Sequence, residues 1–123
     1  MKKIDPKSMT IEQIIETYTS LCEQEDDALL ADERSRYKRL FFRVVALNDE
    51  LKARGRDARL ALKPLLQHRN PQVRLNAAQD LLAVIPQEAR SILQDLRDSR
   101  AGPQCLDAGM TLWNLDRGVF TPD

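Results

Sequence analysis

Chemistry in this chain would have to begin from very few side chains. There is one histidine, His68, and there are two cysteines, Cys22 and Cys105; carboxylates gather in the run EQEDD at 23–27 and again at Asp95 and Asp98. An imidazole beside a nucleophile could move protons, and a His/Cys set could hold zinc, but both need partners at helix or turn spacing. No His or Cys pair has that spacing, no glycine-rich loop is present to cradle phosphate, and no Ser-Gly elbow presents a nucleophile. His68 reads as a turn or capping residue, the cysteines as reduced, part-buried thiols, and the carboxylate runs as solvated helix ends. The expectation is a non-enzymatic chain with no cofactor and no metal, although a site assembled from scattered residues leaves no such signature.

Bulk properties bound the class. A length of 123 residues suits one domain with a real core. Hydrophobic residues at 42%, charged residues at 31% and only four glycines suit a soluble helical protein rather than a disordered one. Nineteen basic and nineteen acidic side chains cancel, so nothing global favours nucleic acid or an anionic membrane. The opening MKKIDPKSMTIEQ has lysines with no apolar run behind them, unlike a signal peptide. No stretch reaches the roughly 18 apolar residues of a membrane span. The expected location is cytoplasmic.

The elements that must position any site are helices. Thr10 is a helix N-cap, followed by Ile11, Ile14, Ile15, Tyr18, Leu21 and Cys22 on one stripe, with the helix able to continue through Leu30. A second helix spans 33–54, with Tyr37, Leu40, Phe41, Val44, Asn48 and Leu51 along its packed side and Gly55 ending it. A third runs over about 57–67, with Pro64 set to kink it or shift its start. A fourth starts at the Asn70 cap with Pro71 in first position and stops before Pro86. The fifth covers 86–99 and the sixth 103–116, before Gly118. No segment alternates like a strand.

An internal repeat sets the expected architecture. A shift of about 31 residues places Ala58 on Ala89, Arg59 on Arg90, Leu62 on Leu93 and Leu65 on Leu96. It continues with Leu75 on Leu106, Ala77 on Ala108 and Leu81 on Leu112. A repeated helix pair of this length implies an α-solenoid in which each pair stacks on the next. The organisation expected is a single all-α domain over 1–123: a tail at 1–9, a capping pair at 10–54, repeat pairs at 57–85 and 86–117, and a tail at 118–123.

The stretch LLQHRNPQVRLNAAQDLLAV resembles a HEAT-type repeat, and ELKARG, LLQHRNPQVRLNAA and DAGMTLWNLDRG together resemble a small bacterial ARM/HEAT-like family of unknown function. The resemblance covers nearly the whole chain. It implies a short right-handed α-α superhelix of about six helices in three pairs, and it implies no activity. The chain departs from the HEAT pattern at His68, where the first turn aspartate usually stands, and at Gln104-Cys105, which replace Val73-Arg74 in the second copy.

Arg74 sits inside the apolar arc of the fourth helix, between Val73, Ala77, Leu81 and Val84. A partly buried guanidinium must find acceptors. The resemblance implies that it braces neighbouring turns, with a turn carbonyl or Asp107 as the acceptor in place of the missing aspartate. On the same accounting Gln72, Asn76, Gln79, Asp80 and Ala83 face water.

Two surface features remain. In a solenoid the second helix of each pair lines the concave side, so Arg36, Arg39, Arg43, Asn76, Gln79, Asp80, Asp107 and Thr111 form the candidate partner-binding strip. Arg39 and Arg43 are like charges one turn apart, which folding alone does not explain. The other feature is Leu106, Met110 and Trp113, a second apolar strip on the sixth helix with no helix pair after it. Terminal repeats normally carry a polar outer face. Either Val119 and Phe120 fold back over Trp113, or another chain covers the strip, including a homodimer through the C-terminal end. The expected function is a protein–protein interaction module, in a sharper version an immunity-type or regulatory protein. The alternatives are a nucleic-acid-binding HEAT-like protein and an enzyme with a dispersed site.

Overall fold

The computed structural model describes residues 5–123. Among them are six α-helices and no strand: α1 (Ile11–Leu30), α2 (Arg34–Arg54), α3 (Arg56–Leu60), α4 (Pro71–Leu81), α5 (Pro86–Ser99) and α6 (Gly102–Asp116). The chain divides into two compact units, Met1–Leu62 and Lys63–Asp123. None of the helices described is long and apolar enough to cross a membrane.

In the first unit, α1 opens on a capping box. The Gln13 amide donates to Thr10 Oγ1 (3.1 Å) and the Thr10 amide donates to Gln13 Oε1 (2.9 Å), satisfying two otherwise orphaned donors. Its buried stripe is Ile14, Tyr18, Leu21, Cys22, Glu25 and Ala28. Glu25 corrects the expectation for the acidic run: it falls on the spacing of that stripe and is 1% exposed. The turn into α2 closes with Asp32 in the left-handed region (φ 55) and the Glu33 amide donating to Ala28 O (2.8 Å).

The α2 helix packs on α1 through Leu40, Val44, Leu47, Asn48 and Leu51. Phe41, expected on that side, lies at its edge and is 42% exposed, because the buried arc centres on Leu40, Val44 and Leu51. Of the expected tail at 1–9, residues 1–4 lie outside the described residues, and 5–9 are pinned. Asp5 caps a 3-10 turn (Pro6–Ser8), Met9 is buried, and Arg54 donates to the carbonyls of Pro6 (3.0 Å) and Met9 (2.7 Å) while pairing with Glu50 (2.7 Å).

The third predicted helix is two pieces. The α3 helix ends at Leu60, and Lys63–Gln67 forms a 3-10 segment, because Pro64 cannot supply an amide to a continuing α-helix. The piece before the break packs on α2 and the piece after it on α4, so the unit boundary falls inside the first repeat copy.

In the second unit, Asn70 Oδ1 accepts from the Gln72 (2.9 Å) and Val73 (3.3 Å) amides and Pro71 holds the first helical position, which starts α4 as expected. The α4 helix ends at Leu81, short of the expected Pro86, and turns lead into α5. The α5 and α6 helices pack on each other, and both contact α4. Val73, Leu75, Ala77, Leu81, Ala89, Leu93, Ala108 and Leu112 make the core, each 2% exposed or less.

Candidate functional site

Arg36, Arg39 and Arg43 stand on α2 in the first unit. Arg36 pairs with Glu33 at 3.4 Å, one helical turn back. Lys38, Arg39 and Arg43 are exposed and have no charged or hydrogen-bonding partner among the described residues. Beside them lies a feature that periodicity did not indicate: Phe41 (42% exposed), Phe42 (58%) and Val45 (37%) face outward. Tyr37 and Phe41 have ring centroids 6.3 Å apart, and Phe41 and Phe42 meet edge to face at 5.5 Å. The signal was present in the run KRLFFRVV, where successive apolar residues span more arc than one buried face can take.

The other strip residues belong to the second unit, where several are brought together. Gln79 Nε2 donates to Asp107 Oδ1 (3.0 Å) and to Thr111 Oγ1 (2.9 Å), so one α4 amide grips two α6 side chains. Thr111 in turn donates to the Asp107 carbonyl (3.0 Å). Near the start of the same helices, Gln104 Nε2 donates to Gln72 Oε1 (2.9 Å) and Gln72 Nε2 donates to Asn76 Oδ1 (3.1 Å). Gln72 corrects the expectation that it faces water: it and Gln104 are both 2% exposed. The sequence marked this pair in another way, since Pro71-Gln72 and Pro103-Gln104 open α4 and α6 alike. These glutamines join two helices, and Asp80 lies half-buried nearby on α4.

Burial raises the Asp107 carboxyl above its ordinary value, opposed by the hydrogen bonds from Gln79 and Thr111. The folded state therefore holds this proton more tightly than the unfolded chain does. In the window between the unfolded and folded pKa values, unfolding releases the proton, so this contribution to stability falls as pH rises. Asp107→Asn keeps the acceptor for Gln79 and removes the charge. Its stability relative to wild type, read from urea midpoints, should rise from acid to neutral pH; a pH-independent difference would sink the account.

Arg74 is half-buried and donates through Nη1 to the His68 carbonyl (3.0 Å), with the Arg69 carbonyl at 3.4 Å. His68 Nδ1 accepts from the Asn70 amide (3.0 Å). Together Arg74, His68 and the Asn70 cap tie the turn before α4 to its first helical turns. A guanidinium on a turn carbonyl is a charge-assisted bond. Arg74→Ala should lower stability by about 1–3 kcal/mol; an unchanged melting temperature would exclude the brace.

On α6, Leu106 is 75%, Met110 57% and Trp113 52% exposed. The C-terminal residues leave this strip open: Val119 and Phe120 are themselves 72% and 38% exposed, and their amides bond back to the Asn114 carbonyl. The group seated on Trp113 is the Arg117 guanidinium, 3.8 Å from the ring centroid.

Both cysteines are free, Cys22 buried and Cys105 half-buried. Among the described residues no group of three or more His, Cys, Asp or Glu side chains could hold a metal ion.

No curated protein matches this chain. It is similar in structure to the protein RPA1889 from Rhodopseudomonas palustris CGA009, solved by crystallography, with a TM-score of 0.93 and 43% sequence identity over 98% of this chain and 100% of that one. A family described as a domain of unknown function, DUF2019, matches residues 12–116. With nearly all of its helices inside that match, the chain belongs to the DUF2019 family.

Proposed function

We propose that this protein is a non-enzymatic protein-binding module, built as a short ARM/HEAT-like superhelix, whose docking surface is centred on the outward face of α2. The observation that carries this reading is the exposed Phe41–Phe42 pair, with half-buried Tyr37 against it, beside Lys38, Arg39 and Arg43, which have no partner among the described residues. Aromatic and arginine side chains supply most of the energy at protein interfaces, and leaving them in water is unfavourable unless a partner covers them. The α4–α6 part of the expected strip supports a smaller role, because Gln79, Asp107 and Thr111 already bond to one another. A regulatory or immunity-type task in the cytoplasm fits a module of this kind, by analogy of fold alone.

The second reading is nucleic-acid binding, favoured by the seven basic and two acidic residues of α2. One experiment separates the two. Tagged wild type and an Arg39→Glu/Arg43→Glu/Phe42→Ser variant are used to capture partners from the native host. Loss of one specific protein with the variant supports the module. Capture of nucleic acid alone, released steeply by added salt, transfers the site to the second reading. Capture of nothing specific defeats both.

A further inference from the structure

His68, the only histidine of the chain, holds the turn before α4 in a way that depends on its protonation state. The ring is half-buried, and its Nδ1 accepts from the Asn70 amide (3.0 Å). A ring nitrogen that accepts carries no proton, so in this turn the imidazole is the neutral tautomer with its hydrogen on Nε2. That bond is the first of a series. Asn70 Oδ1 accepts from the Gln72 amide (2.9 Å) as the cap of α4, and Gln72 Oε1 accepts from Gln104 Nε2 (2.9 Å) on α6. Hydrogen bonds thus lead from the imidazole to the buried join between α4 and α6.

No charged group around the ring offers a counter-ion to an imidazolium. Arg69 follows it in the chain, and Arg74 of α4 places Nη1 3.0 Å from the His68 carbonyl. The amides in the first turn of α4 add the positive end of a helix dipole. Among the described residues no carboxylate pairs with the ring. Asp80, the other charged residue of α4, stands nine residues past Pro71, about 13 Å along the axis. Lys63 of the 3-10 segment is engaged with Glu88 of α5 (3.5 Å). The first charge on α6, Asp107, bonds to Gln79, two turns beyond Gln72.

We propose that His68 is a pH-sensitive latch on the α4–α6 join: a proton taken up at Nδ1 breaks the bond from Asn70, frees the cap and loosens the Gln72–Gln104 contact. The imidazole of the unfolded chain takes up that proton without losing a bond, so acid favours the unfolded side. The contribution of the latch to stability is complete above the range in which imidazoles titrate, roughly pH 5–8, and is lost as pH falls through it. Asp107 acts with the opposite sign, since its contribution falls as pH rises. The inference stands apart from the reading of α2 as a docking surface.

The test is magnetic resonance and urea unfolding of the full chain across pH. With a single histidine, nitrogen-15 correlation spectra report the tautomer directly. The Nε2–H form is expected at neutral pH, and an Nδ1–H ring would overturn the inference. His68→Asn sets an amide oxygen, Oδ1, where Nδ1 stands, and this group does not titrate. From about pH 8 to 5 the folded-to-unfolded ratio of wild type relative to this variant should fall, by at most about tenfold per pH unit, the limit for one proton. Over the same range the Gln104 side-chain amide resonance should move with the imidazole in wild type and stay still in the variant. Parallel stability profiles for the two proteins, or a Gln104 resonance that ignores the titration, would each overturn the latch. If the variant fails to fold, the tautomer and the Gln104 resonance of wild type still decide the matter.

Discussion

Leu75→Ala should lower the free energy of unfolding by about 2–5 kcal/mol, while Leu106→Ala stays within about 0.5 kcal/mol of wild type in dilute solution. The two leucines are equivalent by sequence repeat, yet Leu75 is 1% exposed and Leu106 75%. Truncating the first removes apolar surface already withdrawn from water and leaves a cavity, whereas truncating the second removes surface that water still touches. Urea midpoints at low protein concentration measure both. Equal losses would mean that Leu106 is covered, and a loss for Leu106→Ala that appears only at high concentration would mean that a second copy covers it.

Gln104→Ala should cost about 2–4 kcal/mol, more than its modest apolar content explains. Its amide is the donor to Gln72 Oε1 at 2.9 Å in a place where both side chains are 2% exposed. Without that donor the Gln72 oxygen is left facing a void. Replacing both partners with leucine removes the polar groups together, so Gln72→Leu/Gln104→Leu should lose much less than the sum of its single variants. A double-mutant cycle in urea measures this coupling, and strict additivity would exclude it. The neighbouring backbone is committed to the same arrangement. Gly102 has φ 67, and a Cβ there would meet Gln104 Oε1 at 2.7 Å, so alanine at this position should lose stability as well.

Most helices were legible because their signals are local. The Thr10 and Asn70 caps, Pro71 and Pro86 at first helical positions, and Gly55 with φ 104 each act within one turn of chain. Residue type and spacing alone therefore located five of the six helices, and Pro64 warned of the break in the remaining one. The apolar periodicity likewise picked out Ile14, Tyr18, Leu21 and Val44, all buried. Burial of polar and boundary residues was not local. Gln72 looked solvent-facing on its own helix, and its hidden position depends on Gln104 arriving 32 residues later with a matching amide. Phe41 sat on the apolar side of a helical wheel, but its exposure depends on how much of α2 its neighbours cover.

The candidate site divides in the same way. Sequence alone marked Arg39 and Arg43 as unexplained like charges and Leu106, Met110 and Trp113 as an uncovered strip. Only the tertiary structure decided that Gln79 grips Asp107 and Thr111 and that Gln104 hides Gln72, contacts that join residues 28 to 32 positions apart. Helix formation follows from the chemistry of adjacent residues and can be read along the chain. Which side chains find partners, and which are left in water, follows from distances between segments remote in sequence, and those distances exist only once the helices have packed.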